Sequence, residues 1–371
     1  MIRKILSQDR DDLLDGFLLV SFMLSLPFYT FASGMPQPAD LAMLTLLGRL
    51  SISQARARRF PSGLREHGAP LALFVLYSWA LTLVWTLRLG EVRMLVYPLF
   101  YSYNLAVFGG SLLLFLRRGD RFLRVAMHAA AATLILQVLL SPLAIQAEAL
   151  RQSLFLNGPN QLGYFAILAG TIFVLGDARR PVHPAYLILV FATAAYLAAL
   201  SLSKSSMLAL AMLIVITGLR RPWLLAATGA AALAIFFLSD SQTLLGKVGE
   251  RLFSIGSDFD DSLAGRGYDR LLCHPAQMFL GAGEGAFWRF ESFIMGEVHS
   301  SFGTLLFAYG LPGLILFAIF LGRVYQSAGL TSFMLTLPIL FYGLTHQGLR
   351  FRLLWVLLAF LAAGDGKGDR E

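Results

Sequence analysis

Three stretches of this sequence set polar side chains directly against long apolar runs, and each contains residue types that can do chemistry. In RQSLFLNGPNQLGYF (151–165), Arg151 precedes a turn in which Gly158 and Pro159 stop one helix and Asn160 can cap the next. In SLSKSS (201–206), only serines separate Lys204 from the apolar runs on either side, which directs it into the protein or a wet cavity. The third stretch, DSLAGRGYDRLLCHP (261–275), runs on to EVHSSFGTLLFAYGLPGL (297–314) and supplies Arg266 and His299. A guanidinium fork matches phosphate oxygens two at a time and an ammonium is a compact point charge. Arg151, Lys204 and Arg266 can therefore neutralise a diphosphate without a metal ion. Histidine titrates near neutral pH, so His299, beside Ser300 and Ser301 at the start of an apolar helix, can take a proton from an alcohol as a general base. The plainer alternatives are an Arg151 anchored at lipid headgroups and a His299 that caps its helix.

The spacing gives little to a metal. His274, before Pro275, and His346, beside Gln347, make no HExxH or similar pattern with His299, and Cys273 is the single cysteine. Asp258-Phe259-Asp260-Asp261 contains the Asp-x-Asp of some metal-dependent sugar transferases, but between Gly256 and Gly265 a solvated acidic turn is the simpler reading. GAGEGAF (281–287) offers Gly-x-Gly-x-Gly with no strand before it, so a tight turn is expected there and not a nucleotide loop. Neither a metal nor a cofactor is expected.

Apolar helices must position these residues. Hydrophobic residues make up 57% of the chain and charged ones 14%, against about 25% charge in a soluble globular protein; the mean hydropathy is +0.67. A soluble domain is excluded, and the chain reads as one all-α integral membrane domain over 1–371. Cutting at charged and Pro/Gly-rich breaks predicts about twelve transmembrane segments: 13–33, 37–54, 70–88, 93–116, 122–142, 160–176, 184–202, 205–219, 222–238, 299–322, 329–347 and 351–364. The polar start MIRKILSQDRDD has no small-residue cleavage site after it and reads as a retained signal anchor. Arg49, Arg56, Arg58, Arg59, Arg65, Arg117, Arg118, Arg121, Arg124, Arg179, Arg180, Arg220, Arg221 and Arg323 fall in alternate connections, while the short connections between hold mainly Arg88, Arg93, Arg151, Lys204, Arg350 and Arg352. That asymmetry puts both termini in the cytoplasm. The net charge of +8 is then a topology signal and points to no nucleic acid.

The same count makes 239–298 a large external loop between the ninth and tenth segments. Its charges alternate with Leu252, Phe253, Tyr268, Phe279, Phe287, Trp288, Phe290 and Phe293, aromatics that a disordered linker would lack. Short amphipathic helices lying on the membrane domain are expected.

This arrangement resembles the O-antigen ligase and O-antigen polymerase superfamily of bacterial inner membranes. The family's arginine before an Asn-Pro-Asn turn is similar to Arg151 with Asn157-Gly158-Pro159-Asn160, here with a glycine inserted. Its basic residue after a Ser-rich span end is similar to Lys204. Its Gly-Arg, Pro and Gly-x-Gly of the large loop are similar to Gly265-Arg266, Pro275 and Gly281-Ala282-Gly283, and its histidine before a Gly-x-x-Gly helix to His299 with Gly310-Leu311-Pro312-Gly313. Ser300 replaces the family's usual asparagine after the histidine. The resemblance implies a C-type glycosyltransferase-like fold and a metal-independent, inverting transfer from an undecaprenyl-diphosphate-linked oligosaccharide to a glycan acceptor. It implies an active site facing the periplasm, with the diphosphate held by Arg151, Lys204 and Arg266 and His299 as base. Asn160, Tyr268, Arg270, Trp288, Arg289, His346 and Arg350 become candidate contacts to the glycans, membrane lipids become partners, and a chain-length regulator protein is a candidate partner.

Within the family, a polymerase passes the growing chain to another lipid-linked repeat unit and a ligase passes it to lipid A core; the polymerase reading is preferred because the His-Asn pair is missing. From another class, a lipid-linked sugar transporter or flippase would place charges near the midplane on broken helices, whereas here they cluster at span ends, His128 excepted. The same clustering disfavours a structural scaffold.

Overall fold

The structure is a computed structural model that describes residues 2–32, 34–57, 61–146, 148–228, 230, 244–254, 256, 262–290 and 296–364. Eight longer helices come first: α1 (Ile2–Ser25), α2 (Pro38–Ala57), α3 (Ser62–Leu89), α4 (Val96–Arg118), α5 (Asp120–Leu140), α6 (Pro159–Arg179), α7 (Pro184–Ser201) and α8 (Lys204–Arg220). Short α9 (Leu244–Phe253), α10 (Asp269–Cys273) and α11 (Gln277–Leu280) follow, then α12 (Ser301–Ala308), α13 (Gly310–Thr345) and α14 (Arg352–Ala362). Prolines open α2, α6 and α7, where the missing N–H costs no intrahelical bond. Gly90, at φ 70°, ends α3 by donating to Thr86 O at 2.8 Å.

Six of the described helices are long and apolar enough to cross a membrane: Ser62–Leu89, Val92–Arg118, Asp120–Leu143, Pro159–Arg179, Pro184–Ser201 and Gly310–Thr345. They cover the predicted segments from 70–88 to 184–202, and 329–347. The remaining segments differ from expectation for identifiable reasons. The segments 13–33 and 37–54 correspond to α1 and α2, whose apolar runs are broken by buried Asp15 and Asp40 and by Arg49. Segment 205–219 is α8, with 17 residues, and 351–364 is α14, with only 11, about 16 Å of helix. Residues 222–228 are helical, while most of 222–238 lies outside the described residues. Segment 299–322 is divided at Tyr309 and Gly310, the latter at φ 65°.

The 36 residues of α13 would make about 54 Å of straight helix, well beyond about 30 Å of hydrocarbon. Gly329, at φ 73° and ψ 169°, folds it into two legs. Its first residue, Gly310, lies against Leu280 and Gly281, and its last turn lies beside Ser300 and Ser301. Ser327, near the bend, meets His67 Nε2 at 3.2 Å in the first turns of α3, at the opposite end of the bundle. The legs therefore run antiparallel.

α6 forms the axis of the bundle, with 89% of its apolar window buried. Glycines let its neighbours approach: Gly163 faces Ser206 of α8 and Gly176 faces Met127 of α5. In a bilayer such small-residue contacts bind helices by dispersion, since lipid is as apolar as leucine. A ladder of rings, Phe74, Tyr101, Tyr309, Phe317, Phe320 and Trp355, joins α3, α4, α13 and α14 with centroid spacings of 5.3–6.3 Å.

The two ends of the bundle differ in their chemistry. At one end arginines meet carboxylates: Arg49 with Asp15 and Asp11 at 3.0 and 3.1 Å, Arg118 with Asp12, Arg180 with Asp120 at 2.8 Å, and Arg221 with Asp177 at 2.9 Å. All four are arginines the sequence assigns to the cytoplasmic side. At the other end lie Arg151, Asn160, Lys204, Arg266 and His346, together with the loop residues.

Candidate functional site

Arg151 reaches across the turn that precedes α6. Its Nε donates to Ser201 O at 3.0 Å and its Nη2 to Asn160 Oδ1 at 2.6 Å. Asn160 was expected to cap α6, but Gly158 is the cap and Pro159 the first helical residue, which leaves the Asn160 side chain to receive the arginine. Lys204 opens α8 and is 7% exposed. As the sequence suggested, it points inward, and its Nζ donates to Ser254 O at 2.8 Å. A cation on the first turn of a helix is disfavoured by the helix dipole, while the free N–H groups there favour an anion.

The turn after α13 draws these pieces together. Arg266 Nη1 donates to Thr345 O at 2.9 Å and lies 3.4 Å from His346 Nε2. Thr345 Oγ1 donates to Ser205 Oγ at 2.8 Å, which links the turn to the first turn of α8. The His346 carbonyl accepts from both the amide and the hydroxyl of Ser301, each at 3.1 Å. Beneath His346 lies a stack of rings: His346 on Tyr342 at 4.7 Å, and Tyr342 on Tyr164 at 4.3 Å. The Tyr342 hydroxyl donates to Asn160 O at 2.9 Å and closes the circuit to α6.

His346 is pushed down to about 3, first by burial and then by its cationic neighbours, Arg266 foremost. It is neutral at physiological pH. With Arg266 donating toward Nε2, the network assigns its proton to Nδ1, 3.2 Å from Thr345 Oγ1. A histidine held this low is a poor general base, and its Nε2 faces the Arg266 guanidinium. His299 is different: its backbone N–H donates to Arg266 O at 2.9 Å and its side chain is exposed. Ser300, next to it, caps α12 by accepting from Gly303 N at 3.0 Å, so His299 stands just outside the cap. Tyr268 Oη lies 2.6 Å from Ser300 Oγ and donates to Leu344 O at 2.6 Å, fastening the Gly-Arg turn to the end of α13.

Among the described residues, three that are not glycine have positive φ: Leu154 at 50°, Leu202 at 44° and Ala286 at 47°. The first two lie in the 151–160 turn and in SLSKSS, and the third in GAGEGA. Such conformations cost on the order of 1 kcal/mol each and gather at sites where the chain must present particular groups.

A second polar group, which sequence reasoning missed, centres on Glu284. It is 1% exposed, and its carboxylate accepts from Tyr101 at 3.0 Å and Tyr309 at 2.7 Å and pairs with Arg350 at 3.3 Å. Arg350 also pairs with Glu297 and lies over the Tyr97 ring at 5.3 Å. Burial raises the Glu284 pKa and Arg350 opposes the rise. The carrier is the GAGEGAF turn, in which Gly281, Gly283 and Gly285 all have positive φ. A Cβ on Gly281 would stand 2.6 Å from Ala308 O and one on Gly285 2.7 Å from Tyr97. The turn also satisfies the end of α12, with Ala282 N and Gly283 N donating to Phe307 O and Ala308 O at 2.9 Å. A lone glutamate between glycines, with tyrosines inside apolar helices, was the available signal.

The other candidates divide between the two groups. Arg350 belongs to the Glu284 group, only four residues after His346. Arg270 is fully buried, donates to Gly296 O at 2.8 Å and lies within 5.8 Å of the Phe287, Phe290 and Phe307 rings. Arg289 donates to Ala282 O at 2.7 Å and lies on Trp85 and Phe290; burial brings it down to about 10, with help from Arg88. Both arginines thus pack the loop internally. Trp288 is 64% exposed. Asp258 and Asp260 lie outside the described residues. No family model and no curated protein matches this chain.

Proposed function

We propose that this chain is an inverting glycosyltransferase of the O-antigen polymerase type, working at the periplasmic face of a bacterial inner membrane with both termini in the cytoplasm. The observation that carries the reading is that segments distant in sequence meet at the turn after α13: Arg266, whose carbonyl accepts from the His299 N–H, lies 3.4 Å from His346, and Arg151 holds Asn160, whose carbonyl accepts from Tyr342 one turn below. Arg151, Lys204 and Arg266 hold the diphosphate of an undecaprenyl-diphosphate-linked glycan, and the first turn of α8 adds its N–H groups. His299 removes the proton of an acceptor hydroxyl, the oxygen attacks the anomeric carbon from the face opposite the diphosphate, and undecaprenyl diphosphate leaves with the bonding pair. The cations stabilise the charge that grows on the leaving group, so fixed electrostatics and positioning supply most of the acceleration. Exposed Trp288 is a surface on which acceptor sugars can stack, and a chain-length regulator is a natural partner for such a site.

The test is complementation of a knockout with His299→Ala and Arg266→Ala. Loss of polymer at normal membrane levels is expected, and full activity in both variants would overturn the reading. A ligase uses the same site, and the knockout itself separates the two: single repeats on core oligosaccharide indicate a polymerase, and bare core with long lipid-linked chains indicates a ligase.

A further inference from the structure

The loop segment that follows Arg270 is polarised the wrong way for a surface in water. Arg270 is fully buried, while Leu272, Phe279 and Leu280 are 80, 68 and 68% exposed, and Cys273, Pro275 and Ala276 are exposed beside them. Residues 271–283 hold no Asp, Glu, Lys or Arg. A single exposed leucine calls for no explanation, but a contiguous apolar patch marks a partner.

The depth of this segment can be measured along α3. Gly285 lies against Tyr97 in the first turn of α4, Gly281 O accepts from Trp85 Nε1 at 3.1 Å, and Leu280 O accepts from the Tyr77 hydroxyl. Trp85 and Tyr77 precede Leu89, the last residue of α3, by four and twelve residues, about 6 and 18 Å of helix. The chain therefore descends to about the middle of a hydrocarbon core about 30 Å thick. Its tip sits beside Gly310, where a Cβ would stand 2.6 Å from the Leu280 carbonyl carbon and 2.9 Å from Phe279 O. Flanking these contacts, Leu73, Leu76 and Leu83 on α3 and Leu311 and Ile315 on α13 face outward from two helices long enough to span.

Within a bilayer core, backbone polar groups need protein partners, and the tip is provided for. Met278 N and Phe279 N donate to Pro275 O and Ala276 O, Gly281 N donates to Gln277 O, and Ala282 N and Gly283 N donate to the end of α12. The Leu280 and Gly281 carbonyls take a tyrosine hydroxyl and an indole N–H from inside a span; a turn in water would need neither donor. We infer that residues 271–281 form a re-entrant segment whose tip, Phe279 and Leu280, lies among phospholipid acyl chains in the leaflet on the loop's side. The partner of the patch is lipid hydrocarbon, continuous with the lipid around the outward faces of α3 and α13. Such an anchor sets the height of Arg266 and Glu284 relative to the bilayer, since the same loop carries both.

The test uses full-length protein in phosphatidylcholine nanodiscs. Cys273 is the chain's only cysteine, so Cys273→Ser gives a thiol-free background in which Phe279→Cys, Leu76→Cys and Arg93→Cys each carry one bimane fluorophore. Leu76, 64% exposed on α3, is the lipid control, and Arg93, exposed in the connection after α3, is the water control. Phosphatidylcholine bearing a nitroxide midway along its acyl chain should quench the label at 279 as it does at 76. Aqueous iodide should quench it about tenfold less than at 93, because the bilayer core holds no water. Iodide quenching at 279 equal to that at 93 overturns the inference by placing the tip in water. Shielding from both quenchers overturns it too, since protein, such as a second copy of the chain, then covers the patch. Should the labelled variants misfold, wild-type protein in phosphatidylcholine with a mid-chain diazirine decides: adducts on 272–280 support the lipid contact, and adducts on α3 and α13 with none on 272–280 sink it.

Discussion

Arg266 Nη1 stands 3.4 Å from His346 Nε2, although 80 residues separate the two in sequence. The contact joins the large polar loop to the end of α13, and it adds to burial in keeping His346 neutral. Burial, with Arg266 and Arg151 nearby, holds this imidazole at about 3, so it is an acceptor for the guanidinium at any physiological pH.

Stability should therefore depend on pH through His346. A free histidine titrates near 6.5. Because the folded value is lower, the unfolded chain binds the proton first: the contribution is intact above about 6.5 and is lost as pH falls toward about 3, by at most about 1.4 kcal/mol per pH unit. Melting temperatures of wild type and His346→Asn, followed from about pH 7 to about pH 4, should diverge, with the steeper acid loss in wild type. Parallel curves would show that His346 titrates normally.

The Glu284 pair gives a stability prediction of a different kind. Glu284 is 1% exposed and the Arg350 side chain 27% exposed, so Arg350→Met leaves a carboxylate buried with only its tyrosine donors. Removing one partner of a buried pair costs about 3–5 kcal/mol, and the lower end applies because Arg350 is partly solvated. Adding Glu284→Gln should restore part of the loss, since the amide oxygen can still accept from Tyr101 and Tyr309. A double-mutant cycle in denaturant measures the coupling, and additive losses would contradict it.

The central helices were readable because their apolar runs are uninterrupted: Asn160 to Gly176 has no charge, and α6 is where a span was expected. The first two segments are harder to read, because tertiary pairing decides there. Asp15, Asp40 and Arg49 break up the first two segments, yet Asp40 is held by Arg352, 312 residues away, at 2.5 Å. Hydropathy sees the charge and not its partner. Arg151, Lys204, Arg266 and His299 were visible as chemistry at span ends. Glu284 was not, because a glutamate in a polar loop looks solvated until three helices are known to close over it. The Tyr164–Tyr342 stack escaped for the same reason: residues 178 positions apart have no local signal.

Gly281 offers a sharper test of how the loop docks. At φ 99°, with a Cβ position 2.6 Å from Ala308 O and 2.7 Å from the Tyr309 carbonyl carbon, an alanine meets backbone that cannot swing away and a conformation costing about 1–2 kcal/mol. Gly281→Ala should detach the GAGEGAF turn and expose 262–290 to protease, whereas Gly249→Ala, with nothing within 4 Å, should be silent. Equal protease resistance in both variants would show that the turn does not depend on this close approach.

Arg151 makes the most specific prediction about the proposed reaction. Its Nε and Nη2 hold Ser201 O and Asn160 Oδ1 at once, a fork that an ammonium cannot reproduce. Arg151→Lys keeps the charge but loses the fixed direction. Hydrogen bonds to charged groups contribute about 1.5–3 kcal/mol, so kcat/KM for the lipid-linked donor should fall roughly 10- to 100-fold. Asn160→Ala frees the same guanidinium to wander and should cost less, and the double variant should cost little more than Arg151→Lys alone, because both substitutions remove one interaction. If the two losses instead multiply, Asn160 acts apart from Arg151, by contacting substrate directly. If Arg151→Lys leaves kcat/KM unchanged, the guanidinium does not position the diphosphate.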